Sequence, residues 1–153
     1  MAKKDFAPET VNKKASFDYF FEQKFEAGIV LTGTEVKSLR KAQVNLTDAY
    51  CVFKNNELWV KNIHISEYNQ GGYANHIAKS DRKLLMHKRE LVKLQTKLKT
   101  KGTTLIPTRI YFNEKGFAKL EIALARGKKM FDKRQTEKEQ EAKREVARVM
   151  KRF

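Results

Sequence analysis

The sequence predicts a mainly β protein, an OB-like antiparallel barrel with flanking helices, followed by a charged C-terminal tail. Three observations carry that expectation. Apolar and polar residues alternate with a period of two in five or six separate segments. Turns and short irregular stretches separate these segments, so the βαβ rhythm of a parallel sheet is missing. After residue 126 the alternation ends for good, and "GKKMFDKRQ" (127–135) opens a run rich in Lys, Arg and Glu. At 153 residues the chain has room for one core and an appendage. Closing the sheet removes the exposed edges that so many strands would otherwise leave.

Residues 1–14 carry Lys3, Lys4, Lys13 and Lys14 around Pro8 and little that is apolar, which predicts a flexible basic arm. In "ASFDYFFEQKFEAGIVL" (15–31) the odd positions Phe17, Tyr19, Phe21, Phe25, Ala27, Ile29 and Leu31 are apolar. This predicts one long half-buried strand, with Gly28 marking a bulge or bend. "TGTEVKSLRKA" (32–42) reads as a short helix capped by Thr34, its Lys37, Arg40 and Lys41 aligned with the dipole. "TDAYCVFK" and "ELWVKNIHI" flank Asn55-Asn56, a hairpin signal. A looser segment over 66–80 follows, with a loop at Gly71-Gly72.

A helix is predicted over 81–99, where Leu84, Leu91, Leu94 and Leu98 fall at helical spacing and Leu85 and Val92 widen the stripe. Gly102 would stop it. "TTLIPTRIYFN" and "FAKLEIALA" form a hairpin across "EKG", with Pro107 placing an edge or bulge in its first strand. The barrel is thus expected over 15–126 and the tail over 127–153.

Charge narrows the partner. The chain has 33 Lys+Arg against 18 Asp+Glu, a formal +15, and a sequence pI of about 9.9. A field of that size repels itself, which favours a monomer and calls for a polyanion. Solubility alone would be better served by acids. No run of 18 apolar residues exists to span a bilayer, and the N-terminus lacks the apolar stretch of an export signal. No membrane partner and a cytoplasmic location are therefore expected.

Catalysis finds little support, and neither an enzyme activity nor a cofactor is expected. Cys51 is a single thiol inside an apolar run, which favours a packed core residue and excludes a disulfide framework. His64, His76 and His87 are scattered, without the spacing of a metal site. No P-loop, G-x-G-x-x-G or G-x-S-x-G occurs.

Binding is better supported. Residues 79–101 carry nine Lys+Arg and two acids, and Lys83, Lys88, Arg89, Lys93 and Lys97 are available for phosphates. Phe20, Tyr68, Tyr73 and Phe131 are candidates for base stacking, although for the first three packing is the commoner job. The tail from Asp132 onward has eight Lys+Arg, five Asp+Glu and a thin apolar stripe of Ala142, Val146, Val149, Met150 and Phe153. Such a segment is expected to be disordered or frayed when free and helical on a partner. These features alone also fit a general RNA chaperone, a ribosomal protein or an accessory subunit with a docking arm.

"NKKA" (12–15), "FEAGIVLTGTEVKSLR" (25–40), "RKLLMHKREL" (82–91), "KGTTLIPTRIYF" (101–112) and "ALARGKKMFDKR" (123–134) occur in the order and spacing of one bacterial family. Over nearly its whole length the chain resembles small protein B, the SsrA-binding proteins. The resemblance implies an OB-like barrel that binds the tRNA-like domain of transfer-messenger RNA. It implies delivery of that RNA, with elongation factor Tu and GTP, to stalled ribosomes for trans-translation. It further implies a tail that enters the empty decoding region and mRNA channel and contacts rRNA there. By motif, Asn12, Glu26 and Leu85 match family positions tied to RNA binding, and Lys13, Lys83, Lys88 and Arg89 join them as basic neighbours. Gly127, Lys128, Lys129, Asp132, Lys133 and Arg134 match the tail signature, with Lys138, Lys143 and Arg144 as further tail cations. Phe131 stands where the family often has His or Tyr, keeping a stacking face without the polar tip.

Overall fold

The structure is a computed structural model describing residues 9–68, 75–100, 102–128 and 130–151, the side chains of 130–133 apart. From the N-terminus come β1 (Thr10–Val11), α1 (Lys13–Asp18), β2 (Tyr19–Ile29), α2 (Gly33–Arg40), β3 (Val44–Asn45) and β4 (Tyr50–Lys54). Then follow β5 (Glu57–Lys61), β6 (His64–Ile65), β7 (Arg82–Leu85), α3 (Lys88–Lys97), β8 (Thr103–Phe112), β9 (Ala118–Gly127) and α4 (Met130–Met150). Pairing runs β8–β4–β5–β7–β2–β9 and returns from β9 to β8, so an antiparallel sheet of six strands closes on itself. β1 adds to β8, while β3 and β6 form a separate ribbon. The barrel is filled by Ala27, Leu58, Val60, Leu84, Leu105, Ile110, Leu120 and Ile122, with Leu94 of α3 packed into the same core.

The turns follow from residues that tolerate positive φ. Asn55 and Asn56, at φ 52° and 62°, close the β4–β5 hairpin, the geometry that matches the twist of the flanking strands. In the β8–β9 turn Gly116 sits at φ 83°, and the Asn113 side chain accepts from the Lys115 and Phe117 amides at 3.0 and 2.9 Å. The register shifts between Pro107 and Arg109, so the proline marks a bulge, as expected. Cys51 is a buried free thiol whose burial pushes its pKa well above the usual range.

Three expectations need correction. The strand predicted over 15–31 begins only at Tyr19, because Asn12 caps a short helix by accepting from the Ala15 amide at 3.1 Å. Its bulge lies between Phe21 and Gln23, not at Gly28. Gly28 is instead where β2 pairs with β9 on one side and β7 on the other, and a Cβ there would meet that of Leu85 at 3.4 Å. The cap of α2 is Thr32, not Thr34. Its side chain and that of Glu35 form a reciprocal capping box, which the Thr-x-x-Glu spacing allows and Thr34 lacks.

The third correction is larger. The helix predicted over 81–99 starts at Lys88, and Arg82–Leu85 is strand β7. Arg82 and Leu84 point inward while Lys83 and Leu85 point outward, a period of two hidden beneath the helical leucine spacing. Pairing with β2 and β5 overrides the local preference. What settles it is a buried cation. Arg82 (2% exposed) is paired with Glu35 (5%) and donates to the carbonyls of Ile63, Ala78 and Ser80 at 2.8, 3.1 and 3.0 Å.

Candidate nucleic-acid interface

Ala27, Leu120 and Ile110 form one row across β2, β9 and β8 and fill the core. Their neighbours therefore face outward, as Glu26, Glu121 and Arg109 on one side and Gly28, Lys119 and Tyr111 on the other. On this outer face the Tyr111 hydroxyl donates to the Glu26 carboxylate. The Arg109 guanidinium lies over the Tyr111 ring at 4.2 Å, paired with Glu9 at 2.8 Å and with Glu121. Lys24 completes the group at 3.8 Å from Glu121. Burial, and then the Glu26 carboxylate, push the Tyr111 phenol up to about 12. The hydrogen bond to Glu9, followed by Glu121, raises Arg109 above the usual guanidinium range.

Leu85 stands beside this face, opposite Gly28, and is 53% exposed. Leu85 is therefore not one of the core residues. Three residues on, Lys88 and Arg89 are exposed in the first turn of α3. Cations at that end oppose the helix dipole, and His87 caps the helix without a side-chain hydrogen bond. Folding thus does not account for this pair, whereas an anion there would meet both the cations and the open amides. Lys93 and Lys97 are also exposed, with Lys97 at 5.8 Å over Phe25 and bonded to Gln23.

The other expected residues lie as follows. Lys83 is on β7 and not on the helix, and it pairs with Glu57. Asn12 is buried, and its amide donates to Leu46 and Pro107 carbonyls at 3.0 Å each. With its oxygen capping α1 it has no face left for a ligand, and the exposed Lys13 follows it at the start of that helix. Gly127 ends β9 opposite Tyr19. Lys128 reaches back to Ser16 and across to Thr136. Arg134, Lys138, Lys143 and Arg144 are exposed along α4. Lys129, Tyr73 and the side chains of Phe131, Asp132 and Lys133 lie outside the described residues.

Of the stacking candidates, Phe20 is 48% exposed with Lys128 at 4.9 Å over its ring. Tyr68 is covered by Lys37 and Lys41 at 5.4 and 5.0 Å. Tyr111 was not anticipated as the partner of Glu26, nor Arg109 as the group stacked on Tyr111. The outward positions of "TRIYF" carried the signal, but only the strand register shows that they meet. Among the described residues no group of His, Cys, Asp and Glu is placed to hold a metal. His76 is instead used internally, between Thr34 and the Ile65 carbonyl at 2.9 Å each. No helix among these residues is long and apolar enough to cross a membrane.

A closed barrel with an outward cluster of polar, aromatic and basic groups, plus a charged helix, defines a basic RNA-binding protein. The comparisons are more specific. A family profile described as "SmpB protein" matches residues 9–152. The SsrA-binding protein of Phocaeicola vulgatus is 55% identical over 141 residues, 92% of this chain and 94% of that protein. That of Wolbachia pipientis wMel is 52% identical over 140 residues, with 92% and 94% covered. A solved structure described as "tmRNA-SmpB: a journey to the center of the bacterial ribosome" aligns with a TM-score of 0.69 at 48% identity. It covers 81% of this chain and 87% of the other. The chain belongs to the SmpB family.

Proposed function

We propose that this protein binds the tRNA-like domain of transfer-messenger RNA through its barrel and delivers that RNA to stalled ribosomes for trans-translation. The observation that carries the reading is the match to SmpB proteins over residues 9–152, which spans barrel and tail together. The chain acts as a binding protein and not as an enzyme, and it works as a monomer. Elongation factor Tu with GTP joins through the shared RNA.

Within the barrel, Glu26 and Leu85 form the specific part of the contact, while Lys88 and Arg89 take phosphates. A carboxylate can only accept hydrogen bonds, so Glu26 suits an amino or imino edge or a ribose hydroxyl and repels the backbone. Tyr111, with Arg109 stacked over its ring, holds it in place. Lys13 extends the basic surface from the α1 side, at the start of the helix that Asn12 caps. Lys83, half-exposed beside Glu57, contributes once that exposed pair opens.

The tail works on the ribosome. A helix of this length reaches about 30 Å, and its described side chains from Arg134 to Met150 are all exposed except Thr136. Far from the barrel such a helix is marginal in water, so its distal turns melt in the free protein and order in the mRNA channel. Lys129, Lys133, Arg134, Lys138, Lys143 and Arg144 face rRNA phosphates there, and Phe131 stacks on a base. Replacing Asp132, Lys133 and Arg134 by alanine is expected to spare RNA binding and abolish tagging of stalled products.

The test is recovery of the protein with its bound RNA from cells, followed by sequencing. Transfer-messenger RNA should dominate. Enrichment of ordinary tRNA or rRNA alone would overturn the reading.

A further inference from the structure

The end of β9 and the start of α4 are separated by two residues, and one of them has unusual company. Helix α1 ends in carbonyls that a helix leaves unpaired. Lys128 takes two of them, its backbone amide donating to Asp18 at 2.8 Å and its ammonium to Ser16 at 3.2 Å. The same ammonium donates to the Thr136 hydroxyl at 2.8 Å, in the second turn of α4, and lies 4.9 Å over the Phe20 ring. One side chain thereby touches α1, β2 and α4. The Lys128 charge sits among a helix C-terminus, a hydroxyl and an aromatic face, all of which favour a cation. Beyond it, Lys13, Lys14 and Phe17 of α1 line one groove with Glu137, Gln140, Glu141 and Arg144 of α4. The acidic pair of that stripe thus lies across from the basic pair of α1.

We propose that Lys128 is a positioning residue, an internal clasp that sets the direction in which α4 leaves the barrel, and not a direct rRNA ligand. This rests on the reading of α4 as the ribosome-probing element. The lever explains why the direction matters. For a helix of about 30 Å, a 20° change in exit angle moves the tip by about 10 Å, roughly two helical turns. A clasp at the second turn governs where that tip arrives relative to the RNA held on the barrel. The α1–α4 groove, with Lys13 and Lys14 on one wall and Glu137 and Glu141 beside Arg144 on the other, keeps the orientation while the distal turns fray.

The test is a double-mutant cycle of Lys128→Met and Thr136→Val, with Lys128→Arg as the conservative variant. Spin labels at Val92→Cys and Glu139→Cys, both exposed, report the distance between α3 and α4 in the free protein, where buried Cys51 stays unlabelled. Either single substitution should broaden the distance distribution and lower peptide tagging about tenfold, the size of one lost charge-assisted hydrogen bond. The double variant should be no worse than either single one, and Lys128→Arg should recover most of both signals. Binding to the tRNA-like domain should not change in any of them. A silent Thr136→Val with a defective Lys128→Met, or additive effects, would overturn the clasp in favour of a direct rRNA contact. The distance measurement involves no ribosome, so it stands or falls separately from the role assigned to the tail. That role fails if tail removal leaves tagging intact.

Discussion

Glu35 and Glu137 are both glutamates set against cations, yet they belong to regions built on opposite terms. Glu35 is buried, accepts from the Thr32 amide at 2.9 Å and pairs with Arg82, whose remaining donors are taken by backbone carbonyls. Glu137 is exposed on α4, across an open groove from Lys13 and Lys14. In the barrel the buried charges are paired, as Arg82 is with Glu35, and the sheet closes on itself. Along the described tail helix from Glu137 to Met150 the side chains stay in water, and Lys128, Thr136 and the α1 groove tie its start to the barrel. A rigid platform suits recognition of one folded RNA, and a loosely held charged rod suits entry into a channel lined with phosphate.

The contrast can be broken most severely at the buried pair. Arg82→Ala or Glu35→Ala leaves an uncompensated charge in the core, expected to destabilise the barrel by about 3–5 kcal/mol in denaturant unfolding. A loss below about 1 kcal/mol would mean that water reaches the pair and the barrel is less closed than described. Next in size is the phosphate contribution. Lys88→Ala with Arg89→Ala should weaken RNA binding and flatten the log–log salt slope by about 1.5, at roughly 0.7–0.9 per phosphate lost. An unchanged slope would remove the first turn of α3 from the interface.

Leu85→Ala sharpens the distinction between fold and function. Fully buried leucines cost about 2–5 kcal/mol on truncation, but Leu85 is half in water. Its loss should lower stability by less than about 1 kcal/mol and RNA affinity by more than that. Equal losses in both would make Leu85 a packing residue after all. The smallest effect concerns Tyr111, whose phenol is pushed up to about 12. Since this lies above the ~10 of an unfolded tyrosine, the stability that its hydrogen bond to Glu26 contributes is full below pH 10. It is lost as pH rises through 12. Phenolate absorbance should show one group titrating late, absent in Tyr111→Phe and shifted down in Glu26→Gln.

Much of this was legible in the residues. The Asn55-Asn56 hairpin, the Pro107 bulge and the end of the last strand before the tail all follow from local chemistry, and the structure has them. The failures share a cause. Arg82 looked like one more helix cation because its partner, Glu35, is 47 residues away. Asn12 was legible as a site residue only by resemblance, and its two long-range carbonyl partners reveal a scaffold role. Glu26 likewise needed the β2–β9–β8 register before Tyr111 could be seen to hold it. Local periodicity reads turns and strands, but it cannot report which polar group a distant strand will bring to meet another.

The claim that barrel and tail are separable devices has one direct measurement. The core is complete by Ala125, and Lys128 closes α1 through its backbone amide, so a chain truncated after Lys128 isolates the barrel. It should unfold cooperatively at nearly the full-length midpoint and bind the tRNA-like domain with undiminished affinity, yet support no tagging on stalled ribosomes. Loss of RNA binding or of cooperative unfolding on truncation, or tagging that survives it, would contradict the account.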